Sequence, residues 1–173
     1  MYELGEKATN AFENSRKRIA DFIGASKNSI VFTKSATESI NLVAESWGYD
    51  NLNSGDVILL TDMEHHSNII PWQIICKKTG AKIKYIRSTK NGTINLEDLK
   101  KSLDSNVKIV SITHASNVFG TINPVKEITN IVKKNGSKIM IDGCQSIPHM
   151  KVHVKDLDCD FYAFSGHKMF GLS

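Results

Sequence analysis

Asp160-Phe-Tyr-Ala-Phe-Ser-Gly-His-Lys-Met-Phe-Gly171 is a short apolar run that ends abruptly in Ser165, Gly166, His167 and Lys168. Residues 160–165 have the length and aromatic content of a buried strand. A lysine just past such a strand, beside a serine, a histidine and a glycine, is unusual. Lysine seldom stays buried unless it is paired or covalently bound. Its amine can meet a carbonyl, while hydroxyl, imidazole and backbone N–H groups beside it can hold an anion. Alone, the four residues also fit a surface turn, so the rest of the chain decides their meaning.

Upstream, apolar runs of strand length recur at 56–62, 107–114 and 137–142, and 82–87 alternates in strand fashion. A further short strand is predicted at 29–33. Helical spacing is predicted over 5–24, where Ala8, Phe12, Ile19, Phe22 and Ile23 form a stripe and Gly24 can end it. A second helix opens at Lys34 to Glu38 and runs through Trp47, with Ile40, Val43 and Ala44 on its apolar face. Others are predicted at 69–76, with Pro71 in the first turn and Gly80 closing the segment, at 96–103 after the Asn91-Gly92 turn, and at 125–134 after Pro124. Strands and helices therefore alternate as in stacked βαβ units. The expected architecture is an α/β sheet with helices on both faces. Ligands of such sheets bind beyond the carboxyl ends of the strands. That rule singles out the loops beginning at Lys34, Met63, His114, Asp142 and Ser165.

Composition narrows the function. The 173 residues suffice for one domain with a real core, and no apolar run approaches membrane-spanning length. The net charge of +4 is small and scattered, which gives little reason to expect nucleic acid but suits a phosphorylated ligand. The polar start has no signal-peptide core. Cys76, Cys144 and Cys159 form no CxxC pair, so a reducing compartment is expected, the cytoplasm or an organelle matrix of similar redox state.

The singled-out loops carry polar groups suited to one aromatic, phosphorylated cofactor. Ser35-Ala-Thr37 opens a helix, whose free N–H groups and positive dipole end suit a phosphate. Ser35 or Thr37 can equally be a plain helix cap, with Glu38 in a capping box. His65 can stack on a pyridine ring, whereas His66 can simply face solvent. The adjacent pair is a poor metal site, and no metal is expected. Asn117 can donate to a phenolate oxygen or sit in a turn. Asp142, if buried, needs a cationic partner, which a pyridinium nitrogen supplies; it can alternatively cap a helix. Gln145 can bond the ring oxygen. Lys168 then reads as a Schiff-base lysine, and the cofactor as pyridoxal 5'-phosphate.

Five stretches carry a resemblance: Thr37-Glu-Ser-Ile-Asn-Leu-Val-Ala44, Met63-Glu-His-His-Ser-Asn-Ile-Ile-Pro-Trp-Gln73, Thr113-His-Ala-Ser-Asn-Val-Phe-Gly-Thr121, Asp142-Gly-Cys-Gln145, and Leu157 through Lys168. Together they resemble the cysteine desulfurases, pyridoxal-phosphate enzymes of the class V aminotransferase group, in wording similar to the Suf-type (group II) branch. The resemblance runs nearly end to end. It implies the large domain of a fold type I pyridoxal-phosphate transferase, mainly a parallel sheet with helices on both faces, truncated at both ends and lacking a small C-terminal domain. It implies that Lys168 binds the cofactor and shuttles the substrate proton. By the same resemblance His65 stacks on the ring, Asp142 pairs with its nitrogen, and Gln145 bonds its oxygen with Asn117 nearby. Thr37, Ser165 and His167 would bind the phosphate. The family converts L-cysteine to L-alanine as a homodimer. It passes sulfur as a persulfide to an acceptor protein for iron–sulfur cluster assembly. None of Cys76, Cys144 or Cys159 matches the family's persulfide cysteine. Small buried roles are expected for all three, and the fragment is expected to be inactive alone. A selenocysteine lyase, a cysteine sulfinate desulfinase or a non-catalytic remnant are the alternatives.

Overall fold

A computed structural model describes residues 2–171. Five strands form its centre: β1 (Val57–Thr61), β2 (Lys82–Ile86), β3 (Val107–Thr113), β4 (Lys138–Asp142) and β5 (Phe161–Ala163). They lie in one sheet in the order β2-β1-β3-β4-β5, and every neighbouring pair is parallel. Parallel neighbours need crossovers, and helices supply them. These are α4 (Ile70–Thr79) before β2, α5 (Leu96–Ser102) before β3, α6 (Val125–Lys134) before β4 and the short α7 (Val154–Leu157) before β5. Ahead of the sheet come α1 (Glu3–Ile23), α2 (Ala36–Val43), a π turn (Ala44–Gly48) and α3 (Tyr49–Asn51).

The strand pleat sorts side chains into two cores. On one face Val57, Leu59, Ile139 and Ile141 pack with Leu99, Ile128 and Val132 from α5 and α6. On the other, Ile58, Leu60, Ile109 and Met140 pack with Ile40, Trp72 and Ile75 from α2 and α4. Each fully buried side chain of this kind contributes about 1.5–3 kcal/mol. The expected α/β sheet with helices on both faces is thus present. Local signals act as read: Pro71 sits in the first turn of α4, and Gly80 ends it in the left-handed region at φ 79°.

Three expectations are corrected. Residues 29–33 are not a strand: a 3-10 turn (Lys27–Ser29) opens the segment, and the chain beyond it joins no ladder. A strand needs a partner, and here Ile30 and Phe32 instead line a cavity of about 670 Å³ together with Tyr162 and Phe164. The Ile30 carbonyl is taken instead by the Arg16 guanidinium. The α1 stripe is mostly not core either. Of its five apolar residues only Ile23 is buried, Phe12 and Phe22 are half exposed, and Phe12 packs against Phe32 with ring centroids 4.9 Å apart. Finally, the helix expected to reach Trp47 continues through the π turn to Asn51, because Ala44 and Gly48 are buried against its neighbours and nothing there stops it.

Candidate active site

Parallel pairing places all five carboxyl ends on one edge of the sheet. A pocket of about 210 Å³ lies there. Thr37, His65, Asn117 and Asp142 line it, and so do Gln145, Ser165, His167 and Lys168. The eight residues singled out in the sequence therefore surround one cavity.

The α2 end is built by two serines. Ser35 caps the helix, its Oγ accepting the Glu38 N–H at 3.3 Å, while Glu38 accepts from the Lys34 N–H. The buried Ser165 Oγ accepts the Ala36 N–H at 2.9 Å and so pins the β5 loop to the start of α2. The capping role thus falls to Ser35. Thr37, one position inside the helix, lines the pocket.

His65 starts the 3-10 turn His66–Asn68 after β1 and is exposed on the pocket side. The Ser67 N–H donates to its Nδ1 at 3.1 Å, which puts the proton of the neutral ring on Nε2. His66 is exposed. Asp142 ends β4, 5% exposed, and one carboxylate oxygen accepts the Cys144 N–H at 3.0 Å. No helix follows it; the chain turns instead through residues 144–149. Asn117 lies in an exposed turn at the pocket rim. Lys168 is half-buried in a 3-10 turn (Gly166–Met169), closed by the Gly171 N–H donating to the Gly166 carbonyl.

The family model for class-V aminotransferases matches residues 1–173. The chain belongs to the class-V aminotransferase family. It is 53% identical over 172 residues to a probable cysteine desulfurase of Halalkalibacterium halodurans, and 47% identical over 173 residues to a cysteine desulfurase of Haloferax volcanii. These matches cover 99% of this chain and 42% and 41% of the two relatives. An apo structure of a cysteine desulfurase from Thermococcus onnurineus NA1 superposes with a TM-score of 0.91 at 43% identity, covering 98% of this chain and 42% of that one.

In this class-V aminotransferase chain the pocket has the donor set that a phosphorylated pyridine aldehyde requires. It offers a lysine amine, a carboxylate, an imidazole face, amide donors, and hydroxyls beside a helix N-terminus. Sequence reasoning missed Ser67, Thr113 and Ala115, which also line it. They flank His65 and His114 in motifs already quoted, and adjacency to those strand ends was the available signal. The loop residue His114 turns elsewhere: its Nδ1 lies 2.9 Å from the Tyr162 hydroxyl, and burial lowers its pKa. The thiols are unsuited to attack. Burial, with Asp142 adding to it, pushes Cys144 up to about 12; burial pushes Cys159 up to about 11 and also raises Cys76.

Proposed function

We propose that residues 1–173 form part of the pyridoxal-phosphate-binding large domain of a Suf-type cysteine desulfurase. The whole enzyme would convert L-cysteine to L-alanine and pass sulfur on as a persulfide for iron–sulfur cluster assembly. The observation that carries this reading is that four strand ends and the start of α2 bring His65, Asn117, Asp142, Lys168 and Thr37 to one pocket. Bound there, pyridoxal phosphate supplies an electron sink for the bonds at the substrate Cα.

The residues divide the work. Lys168 Nζ would hold the cofactor through its carbonyl and would carry the substrate proton. Asp142, kept from water, would pair with the ring nitrogen and favour its protonated form. His65 would lie against the ring, and Gln145 and Asn117 would donate to the ring oxygen. Thr37, Ser165 and His167 would hold the phosphate near the positive end of α2. The raised thiols of Cys76, Cys144 and Cys159 do not suit the persulfide-forming role in this reading. The exposed apolar residues Leu4, Phe12 and Phe22 on α1 support the homodimer expected of the family. A sulfur-acceptor protein is the further partner, in a cytoplasmic or similarly reducing compartment.

Absorbance spectroscopy tests the pocket. Adding pyridoxal phosphate produces the band of the lysine adduct in the unmodified protein and no band in Lys168→Ala. An equal band in both proteins removes Lys168 from the role and the reading with it.

A further inference from the structure

We propose that Glu64 is the positioning residue of this site: its buried carboxylate closes the turn that carries His65 and sets the imidazole toward the pocket. The inference rests on the reading of His65 as a site residue.

Glu64 is only 8% exposed. Its carboxylate accepts three hydrogen bonds from three parts of the fold. Thr61 Oγ1, at the end of β1, donates to Oε1 at 2.5 Å. The backbone N–H of Thr113, at the end of β3, donates to the same oxygen at 3.0 Å. Asn68 Nδ2, in the 3-10 turn, donates to Oε2 at 2.7 Å. Residues 64 and 68 thus bracket His65, His66 and Ser67, and the tie between them closes this turn from beneath. From above, the Asn68 N–H donates to the His65 carbonyl at 2.7 Å.

Every group facing Glu64 in these contacts is a donor, which is what an ionised carboxylate accepts. Asn68 cannot turn over to relieve a mismatch. Its Oδ1 already accepts from Trp72 Nε1 at 3.1 Å and from Ser111 Oγ at 2.6 Å. A glutamine at position 64 would therefore aim an amide N–H at a fixed donor. The nearby charged group is Asp142, whose carboxylate opposes a second negative charge; burial is the larger influence and pushes Glu64 up to about 7. A carboxylate kept in such a place, with all its partners fixed, acts as a brace for what it touches. What it touches is the His65 turn.

The test is ¹⁵N-histidine NMR on the protein without cofactor, above neutral pH, together with thermal melting. The unmodified protein shows His65 as a single neutral tautomer with the proton on Nε2. Glu64→Gln shows averaged tautomers at His65, while His149 and His153 keep their signals. Thr61→Val, which removes one donor from Glu64 and preserves a β-branched strand residue, shifts His65 the same way by a smaller amount. A merely structural role lowers the melting temperature and leaves the His65 tautomer fixed; that result in either folded variant overturns the proposal. Averaged tautomers in the unmodified protein, or unfolding of both variants, overturn it too. A pyridoxal phosphate titration separates the two readings. Absence of a lysine-adduct band in the unmodified protein retires the cofactor reading, and the histidine signals still decide the role of Glu64.

Discussion

At the scale of single residues, burial rather than ion pairing sets the unusual chemistry. Burial pushes the Glu64 carboxyl up to about 7, above the ordinary carboxylate range. A raised acid holds its proton in the folded state after the unfolded chain has released it. Its contribution is therefore full below about pH 4.5 and is lost as pH rises through 7, on the order of 3 kcal/mol. The melting temperature is expected to fall between pH 5 and 8, and Glu64→Gln is expected to flatten that slope. The thiols give a second prediction. Pushed up to about 12 by burial, the Cys144 thiol would have a thiolate fraction of about 10⁻⁴ at pH 8, against about a quarter for a free cysteine. Iodoacetamide should label it orders of magnitude faster after unfolding, as mass spectrometry of the modified peptide would show. Most of the pocket was legible residue by residue, because Lys168, Asp142, His65 and Thr37 are conspicuous polar groups at the ends of apolar runs. The role of Glu64 was not. Adjacent to two histidines it looks like loop polarity, and only the fold brings Thr113, 49 positions later, onto its oxygen.

At the scale of elements, side chains that bridge loops matter more than the ion pairs, which sit mainly on the surface. Asn123 is 2% exposed, accepts the Ile94 N–H at 2.9 Å and donates to the Thr113 carbonyl at 3.0 Å. Asn123→Ala leaves two buried backbone groups unpaired, so a loss of about 3 kcal/mol is expected in denaturant unfolding. At Gly143, directly after β4, an added Cβ would lie 2.1 Å from Tyr162 Cε1. Tyr162 cannot easily retreat, since its hydroxyl lies 2.6 Å from Ser146 Oγ and 2.9 Å from His114 Nδ1. Gly143→Ala is expected to destabilise by about 1–3 kcal/mol and to disturb the neighbouring Asp142. The central strands β1, β3 and β4 were legible as apolar runs because both their faces are covered. Residues 29–33 have the same local character but no neighbour to pair with. The apolar stripe of α1 has the right period and too little body to lie against. Periodicity reports what an element could bury, and the rest of the chain decides whether it does.

At the scale of the whole molecule, fold class followed from the alternation of helix and strand, while the convergence on one pocket followed from direction. Parallel strands necessarily end on the same side, so the residues after β1, β3, β4 and β5 meet there, beside the start of α2. This arrangement has a consequence in time. No ladder of the sheet can close by a simple hairpin; each waits for an intervening segment to cross over. Distant pairings of this kind form slowly compared with helices, which organise within microseconds. The pocket draws on both ends of the chain, and its last wall, the turn at Lys168, hangs on the edge strand. It is therefore a clock for the completion of folding. After dilution from denaturant, far-ultraviolet dichroism should recover first and the ability to capture pyridoxal phosphate last. Simultaneous recovery of the two signals would mean that the edge strand docks as early as the helices form.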